Sequence, residues 1–250
     1  MSTSNALYTD LSCYYDLMCA DIDYASQSQM VHRLHQLFGN GGNRHLDLAC
    51  GTGPHIRQLL DLGYQSSGLD LNQPMLDKAK QRCPEASFVQ GDMCALNWPE
   101  PLDLITCFLY SLHYCASLAR LNQCIRQVHQ QLATGGLFCF NAVDKQQIDN
   151  RLSQQHSTNT DNSLFHFESG WYYPGTGEQQ QLQLAISRST GDITEQWQDS
   201  HPMVAVSFSE LHQLLEPYFE TILLQHDYEK IVPLQPNSGN TLVLCIKKPG

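Results

Sequence analysis

Residues 46–55 read LDLACGTGPH. Leu46, Leu48, Ala49 and Cys50 form an apolar run of the kind that makes a buried strand, and it stops at Gly51-Thr52-Gly53. Glycine accepts backbone angles that other residues avoid. A Gly-x-Gly after a strand therefore permits a tight turn and brings a ligand close to the main chain with no Cβ in the way. The following PHIRQLLDLG (54–63) reads as a helix whose N-terminus would face that ligand. Ile56 stands where a dinucleotide fingerprint needs its third glycine, and no P-loop lysine follows. Both features turn the reading away from a dinucleotide or a nucleoside triphosphate.

Outward from this loop, strands and helices alternate. Residues 14–38 read as one helix, with Tyr24, Met30, Val31, Leu34, Leu37 and Phe38 at near-helical spacing, ended by GNGGN at 39–43. HLDLAC (45–50), QSSGLDL (65–71), ASFVQGD (86–92), LDLITCFLY (102–110) and LFCFNAV (137–143) read as strands. QPMLDKAKQRC (73–83) and SLARLNQCIRQVHQQL (117–132) read as helices, the second closed by Thr134-Gly135-Gly136. Apolar strands alternating with helices predict a parallel sheet covered on both faces, with its ligand at the strand C-termini.

Near residue 150 the pattern changes. DNRLSQQHSTNTDNS is polar and aperiodic and reads as a loop or short helix. From 164 the period becomes two, in LFHFESGWYY, QQLQLAISRS, DITEQWQDS and MVAVSFS, with turn signals at 174–177 and 190–192. This predicts an antiparallel meander beside the main sheet. SELHQLLEPY (209–218) reads as a helix with Ser209 as its N-cap, and ETILLQHDY and NTLVLCIKK as two last strands.

The net charge is −11, and Lys and Arg total only 14 with no patch. A nucleic-acid binder needs a basic footprint, so no nucleic-acid partner is expected. The ten cysteines show no metal-ligand spacing and several sit in apolar runs, which predicts reduced, buried thiols in a cytoplasmic protein. MSTSNALYTDLS has no basic or apolar region, and no run approaches about 20 apolar residues, so neither signal peptide nor membrane partner is expected. His32 and His35 have a helical spacing compatible with a metal pair but lack further ligands nearby, so no metal is expected.

Two acids complete the ligand reading. Asp70 ends the second strand, where a carboxylate accepts hydrogen bonds from ribose hydroxyls. Asp92 ends the third, where it can accept from an exocyclic amine while the Met93 amide donates to a ring nitrogen. With no basic phosphate cradle, the expected ligand is an adenosine without phosphates.

LDLACGTG, GLDLNQPMLDKAK and QGDM resemble the class I S-adenosylmethionine-dependent methyltransferases. YYDLM…DYAS, FLYSLHY and the order of meander, helix and last strands resemble small-molecule N-methyltransferases, in layout the amino-sugar N,N-dimethyltransferases and the glycine N-methyltransferases. The resemblance implies a Rossmann-like α/β sheet, mostly parallel with an antiparallel last strand, and an inserted antiparallel β meander. It implies a single domain over 1–250: a helical cap (1–40), a cofactor core (41–149), an inserted lobe serving as substrate lid or dimer surface (150–207), and the last helix and strands (208–250). It implies S-adenosylmethionine as cofactor and S-adenosylhomocysteine as product.

Carried over by position, Asp47, Ala49, Gly51, Thr52 and Gly53 would shape the loop around the methionine moiety. Asp70 would hold the ribose, Leu71 and Met75 would pack at the adenine, and Asp92 and Met93 would read its edge. Phe108 would lie beside the cofactor, and His55 would touch the methionine carboxylate or stand exposed at the helix start. For the chemistry, Tyr15, His113 and Tyr114 are the candidates, His113 as a general base. In the meander, His166, Trp171, Tyr172 and Tyr173 read as sheet packing or a lid wall. The expected reaction is in-line methyl transfer to a small-molecule acceptor, an amine first. Alternatives are O- or S-methylation, or a cofactor-binding protein without turnover.

Overall fold

The computed structural model describes residues 12–160 and 162–248; the first eleven residues of the expected cap lie outside them. Two sheets organise the chain. The larger has seven strands in the order β10-β11-β5-β4-β1-β2-β3. β1 (Arg44–Leu48), β2 (Gln65–Asp70), β3 (Ser87–Gln90), β4 (Leu102–Cys107) and β5 (Leu132–Val143) are mutually parallel. β11 (Asn240–Lys247) is antiparallel to both β5 and β10 (Phe219–Leu224). The mostly parallel sheet with an antiparallel last strand is thus as expected.

Side chains alternate across this sheet and build two cores. Leu46, Leu48, Ile105, Cys107, Phe138 and Phe140 face one side, against α5 (Leu118–Gln131) and α6 (Phe208–Leu215). Leu104, Leu137, Cys139, Leu242 and Leu244 face the other, against Met30, Val31 and Leu34 of α2 (Tyr24–Phe38). α3 (Pro54–Asp61) and α4 (Gln73–Arg82) are the crossovers after β1 and β2.

The second sheet is an antiparallel meander of β6 (Gln154–Thr160), β7 (Ser163–Tyr172), β8 (Gln179–Thr190) and β9 (Ile193–Val204). Its small core of Phe165, Phe167, Leu184 and Ile186 is covered by Tyr14, Tyr15, Leu17 and Met18 from α1 (Ser12–Met18) and around it. Tyr14 lies 5.0 Å from Phe165 and 6.0 Å from Trp197 between ring centroids, and its hydroxyl accepts from Arg188 Nη1 at 2.8 Å.

Five local expectations are corrected. The helix read over 14–38 is broken at 19–23, because Asp23 caps a new helix by accepting the Ser26 amide at 2.9 Å. The polar stretch at 154–160 is strand β6, whose ladder with β7 is made by backbone groups that its exposed side chains do not advertise. DITEQWQDS and the Met203-Val204 start of MVAVSFS belong to one strand, β9, and the rest of MVAVSFS leads into α6; Pro202 interrupts nothing, since β9 is a sheet edge where a missing N–H costs no ladder bond. Thr134-Gly135-Gly136 does not close α5. β5 begins at Leu132, and Gly135, at φ +71°, sits in a bulge where Leu102 pairs with Leu132 and Leu104 with Leu137. The N-cap of α6 is Ser207, in a reciprocal capping box with Glu210, not Ser209. Among the described residues no helix is long and apolar enough to cross a membrane.

Candidate cofactor and acceptor site

The C-terminal ends of β1 to β4 converge on a cavity of about 310 Å³. It is lined by Ala49 and Gly51 after β1, Asp70, Leu71 and Met75 after β2, and Asp92 and Met93 after β3. Leu109, Ser111 and Tyr114 follow from β4, with Arg120 of α5 and Tyr15 of α1. A second cavity, of about 20 Å³, shares Tyr15, Ala49, Leu109 and Ser111 with the first and adds Asp47, His55, Phe108 and Tyr24. Together these hold every expected cofactor residue except Thr52 and Gly53.

The glycine loop explains the opening motif. Ala49, Gly51 and Gly53 all have left-handed backbone, with φ of 52°, 54° and 77°. The loop is fixed by the Gly51 amide, which donates to Asp70 Oδ2 at 2.8 Å, and by the Gly53 amide, which donates to the Cys50 carbonyl at 2.9 Å. A Cβ on Gly51 would lie 3.7 Å from the Tyr15 ring, on the cavity wall. A Cβ on Gly53 would press on Ala79 of α4 at 3.2 Å, so Gly53 serves helix packing rather than the cavity. Thr52 is also turned away: its hydroxyl donates to Asp16 Oδ1 at 2.6 Å. Arg82 donates to the Thr52 hydroxyl and carbonyl, each at 2.6 Å, and to Asp16 Oδ2 at 3.0 Å. Thr52 thereby anchors α1 over the loop.

Left-handed backbone in non-glycine residues is strained by about 1–3 kcal/mol each. Besides Ala49, Leu109 (φ 53°) and Tyr110 (φ 60°) adopt it at the cavity's other side. The Tyr110 amide donates to Asn141 Oδ1 at 2.7 Å, which holds this turn. β4 therefore ends at Cys107 rather than at 110.

Asp70 is buried. Its Oδ1 accepts from the Asn72 amide at 2.8 Å, and its Oδ2 from Gly51. Burial raises its pKa and these donors oppose the rise. Oδ1 also accepts from Asn72 Nδ2 at 3.3 Å, so Oδ2 is the oxygen that keeps a lone-pair direction for a ligand hydroxyl. Asp92 accepts the Cys94 amide at 2.8 Å through Oδ1 and pairs with Arg120 Nη2 through Oδ2, so it is a shared acceptor rather than a free one. Leu71, 64% exposed, stands at the rim, whereas Met75 is fully buried.

Beneath the loop, Asp47 closes a buried chain of hydrogen bonds. Ser66 Oγ lies 3.0 Å from His45 Nδ1, and His45 Nε2 lies 2.8 Å from Thr106 Oγ1, which donates to Asp47 Oδ1 at 2.6 Å. The directions are consistent with a neutral His45 carrying its proton on Nε2. Burial pushes His45 down to about 3 and Asp47 up to about 7. His55 is buried rather than exposed: its Nε2 lies 2.7 Å from Gln27 Oε1, and its ring packs 4.9 Å from both Phe108 and Tyr24. Burial lowers its pKa to about 3, so it is a neutral wall of the small cavity.

His113 is not placed to act as a base. Its Nδ1 donates to the Val204 carbonyl at 2.9 Å and its Nε2 accepts the Val143 amide at 3.1 Å. Both ring nitrogens are used by backbone, burial lowers the pKa to about 4, and the side chain lines neither cavity. It fastens β9 to β5. Tyr114 does line the larger cavity, and its hydroxyl lies 2.6 Å from His201 Nδ1. His201 Nε2 lies 3.1 Å from Asp199 Oδ2. Sequence reading missed Asp199, His201 and Arg120. The first two lie in the meander, far from Tyr114 along the chain, and Arg120 is one polar residue among many on α5.

His32 and His35 both reach the Tyr64 hydroxyl, at 3.2 and 2.9 Å. Trp171 packs edge-on against Tyr110 at 5.6 Å, joining the meander to the turn after β4.

Comparison with known proteins agrees with this architecture. Residues 46–136 match the family model of the methyltransferase domain. The chain is 34% identical over 37% of its length to the dTDP-4-amino-2,3,4,6-tetradeoxy-D-glucose N,N-dimethyltransferase of Saccharopolyspora spinosa, covering 37% of that protein. The alignments span 37% to 66% of the length of the first curated relatives. Among solved structures, Streptomyces venezuelae DesVI superposes with a TM-score of 0.82 at 19% identity, over 96% of this chain and 99% of that one. CalS10 of Micromonospora echinaspora, an amino pentose methyltransferase with S-adenosylmethionine bound, superposes with a TM-score of 0.79 at 14% identity, over 96% of both chains. Residues 46–136 of the chain thus match a methyltransferase domain, and the chain as a whole has the fold of solved S-adenosylmethionine-dependent methyltransferases.

Proposed function

We propose that the chain transfers a methyl group from S-adenosylmethionine to the amine of a small molecule, of the amino-sugar class. The observation that carries this reading is the contact of Tyr114, on the cavity wall, with His201 and through it with Asp199. An amine attacks only as the neutral base, so the site must take a proton from it. Burial lowers the pKa of His201, which leaves Nδ1 able to accept the Tyr114 proton while Nε2 faces Asp199. Tyr114 would then take the proton of the acceptor. The amino-sugar class is supported by the names of several relatives, which are N,N-dimethyltransferases of amino sugars.

The residues present fit the cofactor. A left-handed loop whose Gly51 leaves the wall open stands beside two strand-end carboxylates, in a cavity of about 310 Å³; ligand sites span about 300–1,000 Å³. Asp70 would hold the ribose; Met75, Asp92 and Met93 would line the adenine. Asp47, His55 and Phe108 would wall the methionine end. Bound there, the cofactor supplies a sulfonium methyl as electrophile. Tyr15, held over Gly51 by the Asp16 anchor, would exclude water from it.

Titration calorimetry with S-adenosylmethionine and S-adenosylhomocysteine tests the site. Micromolar binding is expected, weakened at least tenfold (about 1.4 kcal/mol) in Asp70→Ala. No binding to the unaltered chain would overturn the reading. A panel of amino sugars, alcohols and thiols, followed by mass spectrometry, then decides the acceptor. Methylation confined to oxygen or sulfur would overturn the amine assignment, and cofactor binding with no acceptor turned over would mean a binding protein.

A further inference from the structure

Beside the larger cavity lie three cysteines that methyl transfer does not use. Cys94 follows β3, Cys115 follows the 3-10 turn after β4, and Cys124 lies in α5. Their Sγ atoms all lie within 4.8 Å of one another, and those of Cys94 and Cys115 are 3.4 Å apart. All three side chains are buried, yet Cys94 and Cys115 also line the cavity. No spacing along the chain announces the cluster; the topology assembles it from three elements.

We propose that Cys94, Cys115 and Cys124 form a three-thiolate site for a thiophilic metal ion of the Zn²⁺ or Cd²⁺ type, with its fourth position open to the cavity. A zinc ion takes thiolates at about 2.3 Å, which places the sulfurs about 3.8–4.0 Å apart. The observed range up to 4.8 Å, with one pair at 3.4 Å, spans that separation. The donor set is sulfur alone, which selects soft and borderline ions over calcium or magnesium.

Binding releases thiol protons to solvent and changes no oxidation state.

Cys94 directly follows Met93, so an ion here would crowd the adenine end of the cavity. That consequence rests on the proposed cofactor reading; the metal site does not.

The test uses the reduced, full-length chain titrated with Zn²⁺ and Cd²⁺. One equivalent should bind, with a cadmium–thiolate charge-transfer band, and X-ray absorption of the zinc form should count three sulfur neighbours. Cys115→Ser and Cys124→Ser should each lower affinity at least tenfold. Fewer than three sulfur neighbours would overturn the site, a count that needs no variant to fold. So would undiminished binding in folded Cys115→Ser or Cys124→Ser. With cadmium bound, S-adenosylhomocysteine should bind at least tenfold more weakly. Unchanged affinity would overturn the competition, whereas no binding to the metal-free chain would overturn the cofactor reading and leave the sulfur count to judge the site.

Discussion

His113 and Tyr114 are adjacent in one 3-10 turn, and the turn sends their side chains to different places. His113 holds the Val204 carbonyl and the Val143 amide. His113→Ala would leave both backbone groups buried without that partner, at about 1–3 kcal/mol each. Urea unfolding should show a loss of about 2–5 kcal/mol; a loss under about 1 kcal/mol would mean the staple does not carry β9. Tyr114→Phe keeps the ring and removes the hydroxyl that meets His201. General acid–base groups contribute about 10²–10⁴-fold, so its turnover number should fall by about 10² or more. KM for cofactor should change little, and raising the pH, which deprotonates the amine in solution, should recover activity. A Phe variant with an unchanged pH–rate profile would remove Tyr114 from proton transfer. The sequence identifies both residues as bearing chemistry, because both follow the fourth strand. It does not identify which one faces the cavity, because that depends on backbone direction through Leu109 and Tyr110, both at positive φ.

At the level of elements, the cofactor half was readable because each signal there is local. Asp70 ends β2 and Asp92 follows β3 by two residues, the glycines sit between a strand and a helix, and Pro54 and Pro74 mark helix starts. Several of the misread elements depend on partners distant in the chain. β6 is a strand through its ladder with β7, and its side chains carry no period. β9 continues through Pro202 because, among the described residues, it is the edge strand of its sheet. Thr52 fits the loop motif yet serves α1, since Asp16 and Arg82 meet it from elsewhere. The start of α6 was missed by two residues because the sequence offers both Ser207 and Ser209, and Ser207 alone has Glu210 at the capping-box distance. Ser207→Ala should therefore cost about 1 kcal/mol in urea unfolding, and Ser209→Ala clearly less. Equal losses would reassign the cap.

For the whole molecule, the buried titratable groups set how stability responds to acid. His45, His55 and His113 are neutral in the fold, pushed by burial to about 3, 3 and 4, whereas an unfolded histidine titrates near about 6.5. Between those values the unfolded chain binds three protons that the folded chain refuses, so stability falls as the pH drops below about 6.5. Asp47 acts oppositely. Its carboxyl is raised to about 7 in the fold against about 3.9 when unfolded, so it favours the folded state below 3.9 and loses that contribution as pH rises through 7. Near pH 5 the unfolded chain binds three histidine protons and the folded chain one carboxyl proton, a difference of two. At about 1.4 kcal/mol per proton and pH unit, the slope is on the order of 2–3 kcal/mol per unit. Urea midpoints should thus decline from about pH 6.5 to 5. His55→Asn, which keeps a polar partner for Gln27 without titrating, should flatten the slope by about one proton. A midpoint constant over that range, or a slope unaltered by His55→Asn, would mean that these imidazoles are not held neutral by burial. The contacts of His113 with backbone and of His55 with Gln27 keep both from proton transfer, whereas His201 Nδ1 meets the Tyr114 hydroxyl on the wall of the larger cavity.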